Sequence, residues 1–494
     1  MVPRSLVSKI VHVNTDCSAT HLGSLRDSLP VHIAFPYTTR SSARFPRRPF
    51  SPPPAMNTRV VAVPLHGTLG SFDDSKDDAL DRLEHWRIHP DAVAALGSAA
   101  EHLRTSDTPV AFPTETVYGL GADATRSASV KGIYAAKGRP SDNPLIVHVS
   151  DLDMLRNLLG SRGEDAIPAR YRPLVRKFWP GPLTVLLPVP DPSPLAPEVT
   201  AGLGSFGVRM PASPLALTLI RLAGVPLAAP SANASTKPSP TVAQHVKDDL
   251  DGRIELILDG GACQVGVEST VVDGLCDPPV VLRPGGVGID ELRSCPGWEN
   301  VVVAYKDHSE EGKSAPRAPG MKYKHYSPRA RVVLYESSCK GGRAGIVGAD
   351  ADAAVVVTMT ANGTAHTSNG NARRKVGVIR TKRWEPAAGL RCSGLNLHAR
   401  RNGHDQQKNG HHDDTSYNVY TGDLQNEQGE TIGELFDISL GRETRGIAQG
   451  LFSALRELDR RGADIIFVDG IDDGLDIAAA VMNRLRKAAS EIRA

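Results

Sequence analysis

The sequence predicts an α/β protein: a large domain on a mixed β-sheet with flanking helices, followed by a smaller open α/β domain. Three observations carry that prediction. Short runs of aliphatic and β-branched residues alternate with helical apolar patterns from residue 58 to about 300. A second alternation of the same kind runs from about 330 to 494. Between them, a basic stretch at 305–328 holds Pro316, Pro319, Gly320 and Pro328 and breaks both patterns. With 40% hydrophobic and 23% charged residues, the 494-residue chain has enough apolar material for real cores and is not a disordered protein. No apolar run approaches the roughly 18 residues that a membrane-crossing helix needs.

Taken in order, residues 1–57 read as a leader. They carry seven Lys/Arg against two acids, a local balance of +5 within an overall +2, so the rest of the chain stands at −3. Arg- and Ser-rich, acid-poor composition marks an organelle presequence; an extension ahead of a second start at Met56 reads equally well. Pro52-Pro-Pro54 marks a linker. In the large domain, Ala92–Arg104, Ser127–Lys137, Pro214–Leu222 and Thr241–Leu250 read as helices. The strands are 110–112, 144–149, 183–187, 207–210, 226–229, 255–258, 269–272 and 279–282. Phe112–Gly121 reads as a strand end opening into a loop. In the smaller domain, 332–335, 353–358, 376–380 and 464–468 are expected strands, and 441–461 and 475–489 helices. A Gly/Asn/His/Asp-rich stretch at about 383–430 is expected to be a disordered insertion.

Several familiar patterns fail on context. Gly202-Leu-Gly-Ser-Phe-Gly207 matches G-x-G-x-x-G, but a strand follows it where a dinucleotide site needs a helix. Gly312-Lys-Ser314 lacks the upstream glycine of a P-loop. His404, His411 and His412 sit in a low-complexity stretch where solvated histidines are expected. The six cysteines, Cys17, Cys263, Cys276, Cys295, Cys339 and Cys392, form no C-x-x-C pair and read as reduced thiols.

What remains is a toolkit of cations, hydroxyls and glycines. Pro113-Thr-Glu-Thr116 brings two hydroxyls and a carboxylate to a strand end. Lys137-Gly-Arg-Pro-Ser-Asp-Asn143 gathers two cations, a serine and an amide at a helix end, which suits a polyphosphate but equally a solvated helix terminus. Arg209, between Val208 and Met210, is a cation on an apolar strand and needs a partner, such as a ligand carboxylate. Ala229-Pro-Ser-Ala-Asn233, Glu268-Ser-Thr270 and Arg283-Pro-Gly285 add further polar clusters at strand ends. Such a set fits the positioning of phosphates for displacement at phosphorus, where orientation and charge neutralisation supply most of the catalysis.

These motifs, with Pro180-Gly-Pro-Leu-Thr184 and Val208-Arg-Met-Pro211, make residues 88–294 resemble the YrdC-like family. The linker Pro319-Gly-Met-Lys-Tyr-Lys-His-Tyr-Ser-Pro328, followed by a small α/β domain, resembles the two-domain form of the threonylcarbamoyl-adenylate synthases. The resemblance implies a YrdC-like twisted mixed sheet at 88–300, a linker or lid at 305–328 and a Rossmann-like open α/β domain at 330–494. It implies condensation of L-threonine, bicarbonate and ATP into L-threonylcarbamoyl-AMP, Mg2+ accompanying ATP. The product would go to a tRNA threonylcarbamoyl transferase complex, for the adenosine beside the anticodon of tRNAs reading ANN codons. Carried over residue by residue, Thr116, His148, Arg209, Ala229 and Ser269 match the threonine pocket. Arg139, Asn143, Ser205, Ser231, Ser239 and Arg283 match the nucleotide contacts. Lys137 and Arg139 would be catalytic, and Tyr323 or Tyr326 would cover the nucleotide. No resident metal site is expected, and no membrane partner. The expected compartment is the cytoplasm, with mitochondria added if the leader is a presequence. A double-stranded RNA-binding module on the same fold is the alternative, and RNA contact is a partner it would bring. The −3 balance of the body argues against strong RNA binding.

Overall fold

The computed structural model describes residues 56–64, 69–160, 167–304, 325–355, 373–397, 417–474 and 476–494. The leader through residue 55, Tyr323 and most of the linker, and the three histidines of the Asn/His-rich stretch lie outside them.

Eleven strands form one mixed sheet, ordered Arg59–Ala62, Leu256–Asp259, Val110–Pro113, Tyr118–Asp123, Leu227–Ala228, Ile146–His148, Ser205–Arg209, Leu183–Pro188, Thr270–Asp273, Val280–Arg283 and Val302–Val303. The short central strands are buried on both faces, which is why they read as plain apolar runs. Helices Pro90–Thr105, Ser127–Lys137, Pro214–Ala223 and Ala243–Leu250 flank the sheet. The first is set by Pro90 at its start, and the second ends at Gly138 in the left-handed conformation. The sheet begins upstream of the expected boundary at 88, since Arg59–Ala62 pairs in parallel with Leu256–Asp259. The expected loop after Phe112 is instead a hairpin: Val110–Pro113 pairs antiparallel with Tyr118–Asp123. Thr114 makes its turn, donating through Oγ1 to the Val117 carbonyl (2.7 Å) and accepting from the Thr116 and Val117 amides.

The second sheet has seven strands, ordered Cys392–Leu397, Val419–Gln425, Thr431–Ser439, Arg374–Arg380, Ile465–Asp469, Arg331–Tyr335 and Glu491–Arg493. The last five are mutually parallel. Two expectations are corrected here. Residues 353–355 end a helix, Gly348–Val355, and do not begin a strand; its Gly-Ala-Asp-Ala-Asp-Ala-Ala run favours helix once Ala outweighs the closing Val. The stretch at 383–430 is not an insertion throughout. Cys392–Leu397 and Val419–Gln425 form an antiparallel ribbon that extends the sheet, and its half-exposed positions explain its polar composition.

Helices Thr444–Arg460 and Ile477–Ala488 carry the second domain onto the first. Ser453 Oγ lies 2.7 Å from Thr241 Oγ1, and Arg456 pairs with Asp249 at 2.7 Å. Val117 and Val267 of the first domain belong to the same apolar cluster as Leu451, Phe452 and Leu455. Contact is close enough to require glycine at 266: a Cβ there would sit 2.3 Å from Gln449 Cα, and its φ is +78°.

Candidate active site

A cavity of about 590 Å³, counted to its open mouth, lies where the sheet's central strands meet the linker, within the usual range for small-molecule pockets. One part of its wall is strand-borne. In the pairing of Ile146–His148 with Ser205–Arg209, His148 stands opposite Arg209. Arg209 is buried and donates through Nη1 to Thr116 Oγ1 (2.9 Å) and through Nε to the Gly181 carbonyl (3.1 Å). Its Nη2 pairs with the buried Glu115 carboxylate. The partner that an apolar-strand cation demands is thus supplied inside the fold, by a residue the sequence reading left without a role. A guanidinium has five N–H donors, so two remain for a ligand carboxylate beyond these three bonds.

His148 Nδ1 lies 3.2 Å from the Ile146 carbonyl. A carbonyl only accepts, so Nδ1 carries the proton and Nε2 is the acceptor. Burial, and then the Arg209 charge, pull His148 down to about 3; the imidazole is neutral at physiological pH.

The other part of the wall is cationic. Arg283 donates through Nε and Nη2 to the Ser269 carbonyl (3.1 and 2.9 Å), and Nη2 also reaches Ser269 Oγ. Ser269 Oγ lies 2.8 Å from Thr184 Oγ1. The following turn folds onto this strand so tightly that a Cβ at Gly285 would sit 2.1 Å from the Thr270 nitrogen. Arg139 is held by the Asn143 and Pro144 carbonyls (3.4 and 3.0 Å). Burial lowers both Arg139 and Arg283 to about 10, leaving them charged. Glu268 accepts from Ser239 Oγ (2.5 Å) and Arg484 Nε (3.0 Å). Burial pushes its carboxyl up, but Arg484 and Arg283 outweigh that and hold it at about 2.

Of the residues singled out in the sequence, Thr116, His148, Arg209, Ala229, Ser269, Arg139, Ser231, Arg283 and Tyr326 all line this one cavity. Four others stand outside its lining. Lys137 is neither at a solvated helix end nor on the wall. It is buried, and its ammonium donates to the Ser231 and Asn233 carbonyls behind the loop that presents Ser231. Burial pulls it well below the usual lysine range. Asn143 is buried beside Arg139, with Oδ1 lacking a protein partner. Ser239 stands behind the wall, its hydroxyl donating to Glu268. Ser205 begins the strand that Arg209 ends, about 13 Å away at strand rise. Tyr323 lies outside the described residues.

The cavity also takes in Thr114, Glu268 and His325, which the sequence reading did not assign. All three stood inside quoted motifs, His325 directly before Tyr326 in the linker. Burial, then Arg139, lowers His325 to about 3. Among the described residues, no group of three or more His, Cys, Asp or Glu is arranged to hold a metal ion, and no helix is long and apolar enough to cross a membrane.

Comparison with known proteins agrees with this architecture. Residues 103–285 match a family model described as "Telomere recombination", and residues 287–490 match one described as "Threonylcarbamoyl-AMP synthase, C-terminal domain". Threonylcarbamoyl-AMP synthase of Schizosaccharomyces pombe is 43% identical over 88% of this chain and 98% of its own length. The Bacillus subtilis protein of the same name is 40% identical over 80% and 92%. The solved structure of Pyrococcus abyssi Sua5 complexed with L-threonine superposes with a TM-score of 0.60 at 34% identity, covering 88% of this chain and 99% of that one. The chain belongs to the threonylcarbamoyl-AMP synthase family.

Proposed function

We propose that this chain condenses L-threonine, bicarbonate and ATP into L-threonylcarbamoyl-AMP and pyrophosphate within the single cavity just described. The observation that carries the reading is the division of the wall: a neutral, carboxylate-matched part at Thr116, His148 and Arg209, joined through Ser269 to a cationic part at Arg139 and Arg283. Threonine's carboxylate takes the remaining Arg209 donors. His148 Nε2 and the hydroxyls of Thr116 and Ser269 receive its amino and hydroxyl groups. The amine adds to CO2 with loss of a proton, or to bicarbonate with loss of water, and either route leaves a carbamate. A carbamate oxygen then attacks the α-phosphorus, and pyrophosphate leaves; no enzyme nucleophile is used. Arg139 and Arg283 neutralise charge on the phosphates. Lys137 supports the reaction by fixing the loop that bears Ser231. Mg2+ would come with ATP and supply further charge neutralisation on the phosphates, since Glu115 and Glu268 are already committed to arginines. Tyr326 serves as lid. The product passes to a tRNA threonylcarbamoyl transferase complex.

The test is threonine-dependent release of pyrophosphate from ATP in bicarbonate buffer by the full chain. Arg209→Ala is best combined with Glu115→Gln, so that no buried carboxylate is stranded. The pair should weaken threonine binding by about 2–5 kcal/mol, ~30- to ~5,000-fold, and ATP binding by only a few-fold. Equal losses for both ligands by calorimetry would displace threonine from Arg209. Absence of threonine-dependent turnover in the wild type would end the reading.

A further inference from the structure

Tyr326 lines the pocket, yet the first domain does not hold it there alone. Its φ is +64°, left-handed backbone that a bulky residue keeps only where its surroundings over-determine it. Those surroundings come largely from the second domain. Phe452 stacks on its ring, with centroids 5.1 Å apart and planes at 27°. Arg484, on the helix Ile477–Ala488, sets its guanidinium 5.8 Å from the ring centroid. Burial, and then the charge of the neighbouring Glu268, push the Tyr326 phenol up to about 12, and that same carboxylate accepts from Arg484 Nε (3.0 Å).

Arg484 is fully buried, and its fork is only partly used. Nη1 donates to the Pro284 carbonyl (2.5 Å), while Nη2 is buried without a partner. A buried guanidinium with an unmade hydrogen bond is a weak stabiliser of a fold, and a well-packed apolar side chain of similar volume often does as well or better. Its geometry suits orientation instead. One planar group grips Glu268 and Pro284 together, and Pro284 adjoins Arg283 on the pocket wall.

We infer that Arg484 is a positioning residue for adenylate formation: through Glu268 and Tyr326 it lets the second domain set the lid over the nucleotide part of the pocket. This rests on the proposed function, since it presumes ATP at Arg139 and Arg283. Arg484 itself does not line the cavity, so its effect runs through the groups it holds.

The test uses the full chain with Arg484→Met and Arg484→Lys, following pyrophosphate release and separating intact adenylate from AMP. With Arg484→Met, the KM for ATP should rise about 10-fold or more and AMP should appear in place of adenylate, with the KM for threonine within about 2-fold. Arg484→Lys keeps the charge but cannot bridge both acceptors, and should fall between Met and wild type. The double variant Arg484→Met/Tyr326→Phe should be no worse than the poorer single variant, because both act through one contact. A lowered melting temperature with both KM values unchanged, or fully additive losses, would make Arg484 a structural residue only and overturn the inference. If Arg484→Met does not fold, the KM split in Arg484→Lys decides by the same criterion. A wild-type chain without threonine-dependent turnover sinks the functional reading as well, and is recognised before any variant is compared.

Discussion

Both sheets bury arginine–carboxylate pairs at strand ends, but one set borders a cavity and the other closes a crevice. In an open parallel sheet, the crevice forms where successive connections leave in opposite directions. In the second sheet that point lies between Arg374–Arg380 and Ile465–Asp469. The chain leaves the former toward the hairpin side and the latter toward Glu491–Arg493. Arg383 fills it. Its Nε pairs with Asp469 at 2.7 Å, Nη1 donates to the Glu336 and Ser337 carbonyls, and Nη2 to that of Tyr335. Asp469 Oδ2 accepts from the amides of Thr381, Arg383 and Trp384 and from the Thr381 hydroxyl. In the pocket, by contrast, Arg209 keeps donors in reserve and His148 keeps an acceptor. Buried charge alone therefore does not mark a site; the distinguishing feature is hydrogen-bonding capacity left facing a cavity.

The largest effect that could break this comparison is Asp469→Ala. It would strand Arg383 and three backbone amides in the closed crevice, while the Thr381 hydroxyl keeps the Asp469 carbonyl, so the second domain should lose about 3–5 kcal/mol in urea unfolding. Substrate KM values for the folded protein should stay within about 2-fold. A selective loss of substrate binding with stability retained would mean that the crevice is itself a binding site, and the contrast would fail.

The pocket's neutral histidines sharpen the comparison through pH. His148 and His325 are each held at about 3 in the folded chain against 6.5 for the free side chain. Between those values the unfolded chain binds protons that the folded chain refuses. The histidines' share of stability should therefore be flat above pH 6.5 and fall as the pH drops, by about 1.4 kcal/mol per pH unit for each histidine. His148→Gln should remove one proton's share of that slope. Below about pH 4.5, Glu268 adds a fall in the same direction, because its depressed carboxyl protonates first in the unfolded chain. Denaturant unfolding from pH 5 to 8 reads the slope. An unchanged slope in the variant would mean that His148 is charged or exposed in the native protein.

The difference between the two regions also sets what the sequence could disclose. Strand-end clusters such as Pro113–Thr116 and Glu268–Thr270 were legible because hydroxyls, cations and glycines gather within a few residues, and the structure brings them to one cavity. Helix Ser127–Lys137 was readable to its last residue because Gly138 ends it. Burial was not legible: Lys137 looks like a solvated helix end until the loop at 231–233 is folded over it. Partners distant in sequence were hidden for the same reason. Glu115 and Arg209 are 94 residues apart, and Glu268 and Arg484 are 216, so no local pattern joins them. The ribbon at 392–425 was masked by its polarity, which an edge hairpin with one open face shares with a loop.

That ribbon gives the smallest expected effect, and it asks whether the second sheet meets the pocket only through its helices. Ser453 and Arg456, which bond the first domain, Phe452, which stacks on Tyr326, and Arg484 sit on Thr444–Arg460 and Ile477–Ala488. The ribbon occupies the far end of the strand order, beyond Thr431–Ser439. Its last paired residues are Leu397 and Tyr420. Deleting 400–416 shortens the connection between them from 22 residues to five, a length that hairpins commonly use. Loop-closure entropy alone favours the shorter connection by ~1 kcal/mol. The deletion variant should thus melt at or slightly above the wild-type temperature, with pyrophosphate release within about 2-fold of wild type. A fall of about 10-fold or more in turnover, with the melting temperature unchanged, would place the segment in contact with the reaction. The second domain would then reach the pocket by a route besides its helices, and the contrast between an open first region and a closed second one would have to be redrawn.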